Sequence, residues 1–227
     1  MHIEPGVVDG AKLAFSYATA ALSFGLVAKM ATDDLKAKAS PASLAGRTVL
    51  TTALVFSFFE VLPHHPVGVS EVHLILGSTL FLIFGAGAAS IGLALGLLLQ
   101  GLFIAPFDLP QYGMNVTTLI IPLYAISQLA SRIIPERKAY VDLGYRDALA
   151  LSTTYQGGIV AWVAFWVLYG NGFTAESLSS IATFGAAYMT VILAEPLVDL
   201  AVLAAAKSLR KATDSGLFNE RLHRAAA

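Results

Sequence analysis

The chain has 227 residues, of which 56% are hydrophobic and only 13% are charged. Soluble globular domains carry about 25% charged residues, so this composition excludes a soluble domain and predicts a protein solvated largely by lipid. The absence of cysteine excludes disulfide bonds and thiolate metal sites. The formal net charge of -1 says little, because in a membrane protein the placement of charge matters more than its sum. The chain has no basic patch interleaved with aromatic residues, which argues against a nucleic-acid partner.

Apolar segments recur along the chain, and several have the length of about 20 residues that a helix needs to cross a bilayer. We predict an all-α polytopic membrane protein with about seven transmembrane helices, at 9–28, 44–62, 72–85, 87–105, 113–131, 147–169 and 178–205. The third and fourth segments are joined by Gly85-Ala86-Gly87-Ala88, which suggests a tight turn. We expect one transmembrane domain, residues 1–210, and a cytoplasmic tail, residues 211–227, whose polar sequence from 212 onwards favours fraying.

The basic residues test this topology. All but one of the 14 Lys and Arg residues, Lys12 being the exception, fall into three groups. The groups are Lys29, Lys36, Lys38 and Arg47; Arg132, Arg137, Lys138 and Arg146; and Lys207, Arg210, Lys211, Arg221 and Arg224. Seven spans place all three groups on one side, which the positive-inside rule assigns to the cytoplasm, whereas six spans would separate the first group from the others. The N-terminus is then outside and the C-terminus cytoplasmic, in a multi-pass protein of the inner (plasma) membrane.

The positions of the histidines are the most distinctive pattern in the sequence. In this topology four of the five lie at the outer ends of the first three segments: His2, His64, His65 and His73. Outer residues include the acidic side chains of Glu71 and Asp108, which suit a cation. A His at position 2 can chelate a metal through the Met1 α-amine, the His2 amide nitrogen and His2 Nδ1. A fourth nitrogen from His64, His65 or His73 would complete the square plane that Ni(II) or Cu(II) favours with nitrogen ligands.

Simpler interpretations stay open for these histidines. A His after the initiator methionine can occur by chance. The sequence Pro63-His64-His65-Pro66 is also typical of a polar turn at the membrane interface.

Four short motifs, in order over residues 1 to about 125, resemble the CbiM/NikM family, the substrate-binding membrane subunits of energy-coupling-factor (ECF) cobalt and nickel importers. They are Met1-His2-Ile3, Ser70-Glu71-Val72-His73-Leu74 followed by Gly77, Leu97-Leu98-Leu99-Gln100 with Gly101-Leu102-Phe103, and Gly113-Met114-Asn115-Val116. The second half of the chain agrees in hydropathy alone. Two stretches depart from the family pattern: Glu4-Pro5-Gly6-Val7-Val8 and the Pro63–Pro66 turn.

The resemblance implies a substrate rather than a cofactor: Co(II) or Ni(II), captured by Met1 and His2, with His73 as the matching later ligand. Asn115 matches the family Asn, which we assign to supporting the loops of the site. The pair His64 and His65 adds possible ligands. The implied partners are the ATPase and transmembrane coupling subunits of an ECF transporter, within membrane lipid.

Two other functions remain open from the residues alone. One is a stand-alone metal-permeable channel or sensor. The other is an intramembrane metalloenzyme that uses His64, His65 and His73 with Glu60 or Glu71, although the chain has no HExxH motif. The chain also has no GxxxxGK[ST] loop, so we expect ATP hydrolysis in partner subunits.

Two acidic residues fall inside the last predicted span. Glu195 and Asp199 are four residues apart and share a helix face. Acids at membrane depth are costly and usually face a cavity or a partner, so a cation path and a simple pairing near the cytoplasmic end are both open.

Overall fold

The structure is a computed structural model that describes residues 3–37, 40–62, 64–210 and 215–224. Its α-helices are α1 (Leu13–Lys36), α2 (Pro41–Glu60), α3 (Gly77–Phe84), α4 (Ala86–Phe103), α5 (Tyr112–Ile133), α6 (Tyr145–Asn171), α7 (Ala175–Met189) and α8 (Glu195–Ser208). Two short strands, β1 (His64–Val67) and β2 (Ser70–His73), form a hairpin between α2 and α3.

The prediction of an all-α polytopic membrane protein is confirmed. Within the described residues, six helical stretches are long and apolar enough to cross a membrane: Gly10–Lys36, Pro41–Glu60, Ala86–Phe103, Pro106–Ile133, Tyr145–Asn171 and Ala175–Ser208. The last of these is interrupted, because α7 passes into a 3₁₀ turn, Thr190–Leu193, before α8 begins.

The predicted third helix, 72–85, differs from the structure. Its first residues complete strand β2, residues 74–76 are irregular, and only the eight residues of α3 are helical. At 1.5 Å per residue an eight-residue helix is about 12 Å long, well short of the hydrocarbon core. Every residue of α3 is buried, and so are Ile75 and Leu76 just before it. Protein rather than lipid therefore surrounds this segment, as irregular backbone at membrane depth requires.

The chain nevertheless returns to the other side of the bundle along this segment. Strand β2 lies beside the end of α2, whereas the Phe84 carbonyl at the end of α3 accepts a 2.6 Å hydrogen bond from Arg47 Nη1 near the start of α2. We call these two sides the His73 end and the Arg47 end. Helix α4 therefore starts at the Arg47 end, as the seven-span topology requires.

The Arg47 end also gathers the other basic groups. Lys207 Nζ binds Asp142 Oδ1 at 2.6 Å, and Arg221 Nη2 donates to the Pro135 carbonyl at 2.7 Å. These contacts agree with the predicted grouping of positive charge on one side. Assignment of that side to the cytoplasm remains a prediction.

Residues 215–224 do not fray as the polar sequence suggested. The Asn219 amide donates to the Ile83 carbonyl at 2.7 Å, Phe218 stacks on Phe84, and Leu222 is fully buried. The guanidinium of Arg221 lies 5.0 Å from the centre of the Tyr140 ring. Apolar side chains inside a polar stretch thus hold this segment against the Arg47 end of the bundle.

Close helix packing positions the rest of the bundle. Helices α2 and α4 approach so closely that a Cβ at Gly92 would overlap Thr51, and one at Gly96 would lie 2.6 Å from Val55 Cγ1. The Thr51 hydroxyl donates across this interface to the Ala88 carbonyl at 2.9 Å. Small residues of this kind drive helix association in lipid, as the glycine spacing predicts.

Candidate metal-binding site

A two-residue turn at the His73 end builds the hairpin that carries three of the histidines. Gly68 has φ +65°, at the first central position of the turn, where hairpins of type II′ place glycine. The resulting register pairs His64 with His73 and His65 with Val72. Because side chains alternate along a strand, His64 and His73 share one face and His65 lies on the other.

His73 is the buried member of the group, with 1% of its surface exposed. Its ring stacks on that of His64, with centroids 4.9 Å apart and planes 10° apart, and meets the edge of Phe59 at 5.4 Å. His64 and His65 are both exposed. The structure thus brings His64 and His73 together and places His65 apart from them.

Glu71 orients the His73 ring. Its Oε2 atom lies 2.9 Å from His73 Nε2, and residues two apart on a strand share a face. A carboxylate at Nε2 favours the tautomer that carries its proton there, which leaves the lone pair on Nδ1. Metal-binding histidines commonly have such a carboxylate on the nitrogen away from the metal.

The first described residues of the chain add a third backbone segment to the hairpin. Ile3 forms an antiparallel bridge with Ser70, and the Glu4 amide donates to the Val69 carbonyl at 3.1 Å. The Ile3 amide donates to Asn115 Oδ1 at 2.9 Å, with Ile3 and Asn115 both buried. Asn115, in the first turn of α5, therefore fixes the N-terminal segment beside the strand that ends at His73.

Carboxylates make the surroundings acidic. Partial burial raises the pKa of the Glu4 carboxyl above its ordinary value of 4.5, and the charges of Glu71 and Asp108 raise it further. Glu71 and Asp108 therefore both lie within electrostatic reach of Glu4. Such a cluster attracts cations to the His73 end, as the charges of the outer loops suggested.

The N-terminal segment also contacts the end of α6. Lys12 Nζ donates to the Gly170 carbonyl at the end of α6, at 2.7 Å, and the Val7 carbonyl lies so close that a Cβ at Gly170 would overlap it. Residues 3–12 thus lie across the mouth of the bundle.

The proposed ligands Met1 and His2 lie outside the described residues. Among the residues that are described, no group of three His, Cys, Asp or Glu side chains has the spacing of a metal site. His73, His64 and Glu71 are the candidates that the structure brings together. The sequence suggested Glu71 and His73 as members of one possible ligand set but did not reveal the contact between them. A helix was predicted from residue 72, whereas residues two apart share a face only on a strand.

The fold defines a polytopic helical membrane protein, with imidazole and carboxylate groups gathered at one end of its bundle. A family model described as CbiM, the cobalt uptake substrate-specific transmembrane region, matches residues 2–213. The chain therefore belongs to this family and is a membrane component of cobalt uptake. No curated protein and no solved structure matches the chain.

Proposed function

We propose that the protein captures Co(II) or Ni(II) at the His73 end and delivers it inward in a complex with partner subunits. The ligands are the Met1 α-amine, the His2 amide and imidazole nitrogens, and His73 Nδ1. Family membership supports the transport role. The observation that carries the site is the anchoring of Ile3 to Ser70 and Asn115, because residues 1 and 2 directly precede Ile3 in the chain.

We propose different roles for the three hairpin histidines, on the basis of their burial and contacts. His73 is buried and oriented by Glu71, as a ligand of a closed site should be. His64 stacks on His73 and is exposed, which suits a relay that hands the metal to the buried ring. His65 lies on the other face of the hairpin, so we assign it no part in the site.

Nitrogen ligands explain the choice of metal class. Imidazole and amine nitrogens bind Co(II) and Ni(II) more tightly than they bind Mg(II), Ca(II) or Mn(II), which prefer oxygen. A set containing a deprotonated backbone amide further favours Ni(II) and square-planar geometry. The acidic Glu4, Glu71 and Asp108 would concentrate any divalent cation at the entrance, and the nitrogen ligands would then select.

The absence of a phosphate-binding loop fits a subunit that depends on others for energy. We propose that ATPase and transmembrane coupling subunits of the ECF type provide it. This partnership predicts that the isolated chain binds metal but does not accumulate it in cells. Co-expression with a matched ATPase and coupling pair would restore uptake of radioactive ⁵⁷Co(II) or ⁶³Ni(II), and uptake by the chain alone at the same rate would contradict the partnership.

Calorimetric titration of the detergent-solubilised protein with Co(II) and Ni(II) tests the ligand assignment. His73→Ala should abolish tight binding, and Glu71→Gln should weaken it by about 10- to 100-fold through loss of the orienting carboxylate. His65→Ala is the matched control, since it removes an imidazole from the same hairpin and should leave affinity unchanged. Equal losses in His65→Ala and His73→Ala would refute the assignment.

A further inference from the structure

A second polar cluster lies inside the bundle, between α3, α6 and α8, where the sequence placed two acids without a role. Glu195 and Asp199 are 0% and 1% exposed. Both occur on α8, one turn apart, and Glu195 is its first residue. Among the described residues, no Lys, Arg or His forms an ion pair with either carboxyl group.

Neutral donors surround both carboxyl groups. Ser78 Oγ donates to Asp199 Oδ2 at 2.8 Å, and the Thr79 hydroxyl donates to Asp199 Oδ1. On the α6 side, Ser152 Oγ and Gln156 Nε2 donate to Glu195 Oε2 at 2.5 and 2.6 Å. Hydrogen bonds that point into a carboxyl group favour its charged form, whereas burial away from any cation disfavours it. Two such charges at membrane depth need a compensating cation.

Four further oxygen atoms of this cluster have no hydrogen-bond partner within the described part of the chain. They are fully buried: Glu195 Oε1, Gln156 Oε1, Tyr155 Oη and Tyr188 Oη. The Gln156 oxygen belongs to the same amide whose nitrogen binds Glu195. Tyr155 and Tyr188 both lie within electrostatic range of Glu195. A buried polar atom without a partner costs about 1–3 kcal/mol, so four together indicate a missing partner.

The backbone around the cluster has the form of an intramembrane ion site. The last span breaks at the 3₁₀ turn Thr190–Leu193, which ends two residues before Glu195, and Pro196 lacks an amide hydrogen. Interrupted membrane helices leave free carbonyl groups and helix ends at mid-membrane, where transporters bind their ions. On the other side of the cluster, Ser78 and Thr79 lie in the first turn of the short helix α3. The ring of Tyr155 packs on Gly77, the first residue of that helix.

We propose that Glu195, Gln156, Tyr155 and Tyr188 form a second cation site, in the middle of the membrane, with oxygen ligands only. The charge of the two carboxylates matches one divalent cation, and an all-oxygen shell suits a hard ion such as Mn(II) or Mg(II). The segment that runs from His73 to Thr79 links this site to the His73 end. A role for this second site in binding the transported metal on its way inward rests on the proposed function, whereas the existence of the site does not.

Mn(II) is the probe that distinguishes this site, since it prefers oxygen to nitrogen ligands. Free Mn(II) gives a six-line electron paramagnetic resonance signal that disappears on binding. Titration of detergent-solubilised protein should show one bound Mn(II). Glu195→Gln, which keeps the size and one acceptor oxygen, should weaken binding at least tenfold. Tyr188→Phe, which removes only a hydroxyl, should weaken it several-fold.

Glu176→Gln is the matched control, because it removes an exposed acid from the first turn of α7 and should leave Mn(II) binding unchanged. The same titrations on a chain extended by one N-terminal residue separate this site from the outer one. Retained Mn(II) binding with loss of the high-affinity Co(II) site, leaving only weaker Co(II) binding that depends on Glu195, supports both sites. Retained high-affinity Co(II) binding that does not depend on Glu195, with Mn(II) binding that still does, refutes only the N-terminal chelate of the outer site.

Two results would overturn the proposal. One is the absence of Mn(II) binding by a wild-type protein that unfolds cooperatively, which would assign the four oxygens to an ordered water or a proton. The other is Mn(II) binding that Glu195→Gln and Tyr188→Phe both leave intact.

Discussion

The hydrogen bond between the Ile3 amide and Asn115 Oδ1 offers a sharp test of how the N-terminal segment is held. Asn115→Ala removes the acceptor and leaves the Ile3 amide buried, because Ile3 is 0% and Asn115 1% exposed. An unsatisfied buried donor costs about 1–3 kcal/mol. If the segment must dock for metal to bind, that cost appears as a loss of Co(II) affinity of about 5- to 150-fold.

The assay is calorimetric titration with Co(II) of purified protein in detergent. Thr118→Val is the matched control, since it lies one turn along the same helix, is fully buried, and hydrogen-bonds only within α5, to the Met114 carbonyl. Its Co(II) affinity should equal that of the wild type. Unchanged affinity in Asn115→Ala, or an equal loss in both variants, would refute the link between docking and metal capture.

Two packing variants test the bundle itself through the free energy of unfolding in detergent. Arg47→Ala removes a buried guanidinium that binds the Phe84 carbonyl and lies 3.3 Å from Asp34 Oδ2, so we expect a loss of about 3 kcal/mol. Lys29→Ala, which breaks an exposed ion pair, is the control, and an equal loss of stability in the two variants would contradict this expectation. Gly92→Ala forces a Cβ into Thr51 and should cost about 1–3 kcal/mol, whereas Gly157→Ala, with no atom within 4 Å, should be neutral or slightly stabilising. Equal stability of the two glycine variants would contradict the close α2–α4 contact.

Hydropathy and charge were sufficient to predict the class of fold. Long apolar helices produce a strong signal, and the basic residues restrict how often the chain can cross. The hydrogen bond from Arg47 to the Phe84 carbonyl shows that the chain has returned to the Arg47 end by residue 84. The seven-span topology therefore places the basic groups on one side, although 72–85 is not a helix of membrane length. A crossing can be completed by extended chain when protein rather than lipid surrounds it.

Local structure at the His73 end was harder to predict. Pro66 and the short length of the strands conceal the hairpin from any periodicity count. The prolines suggested a turn at His64 and His65, but these residues belong to β1, and the turn lies at Gly68, a position that needs positive φ. The pairing of Ile3 with Ser70 spans most of the first third of the chain, so no local pattern contains it. The separation of His64 from His65 follows from strand register, which hydropathy does not reveal.

The C-terminal segment shows a different limit. Its polar composition favours disorder, yet residues 215–224 pack on the bundle through the side chains of Phe218 and Leu222 and the backbone amide of Asn219. Conversely, Glu195 and Asp199 were visible as buried acids in the sequence. Their neutral partners were not, because Ser78, Ser152 and Gln156 come from distant segments.

The most direct test of the central claim is the addition of one residue before Met1. The extension moves the free α-amine away from His2 and leaves every other proposed ligand in place, including His73. We predict that calorimetric titration will show tight Co(II) or Ni(II) binding by the native chain and none by the extended one. Undiminished affinity in the extended chain would contradict capture of the metal by the N-terminal amine.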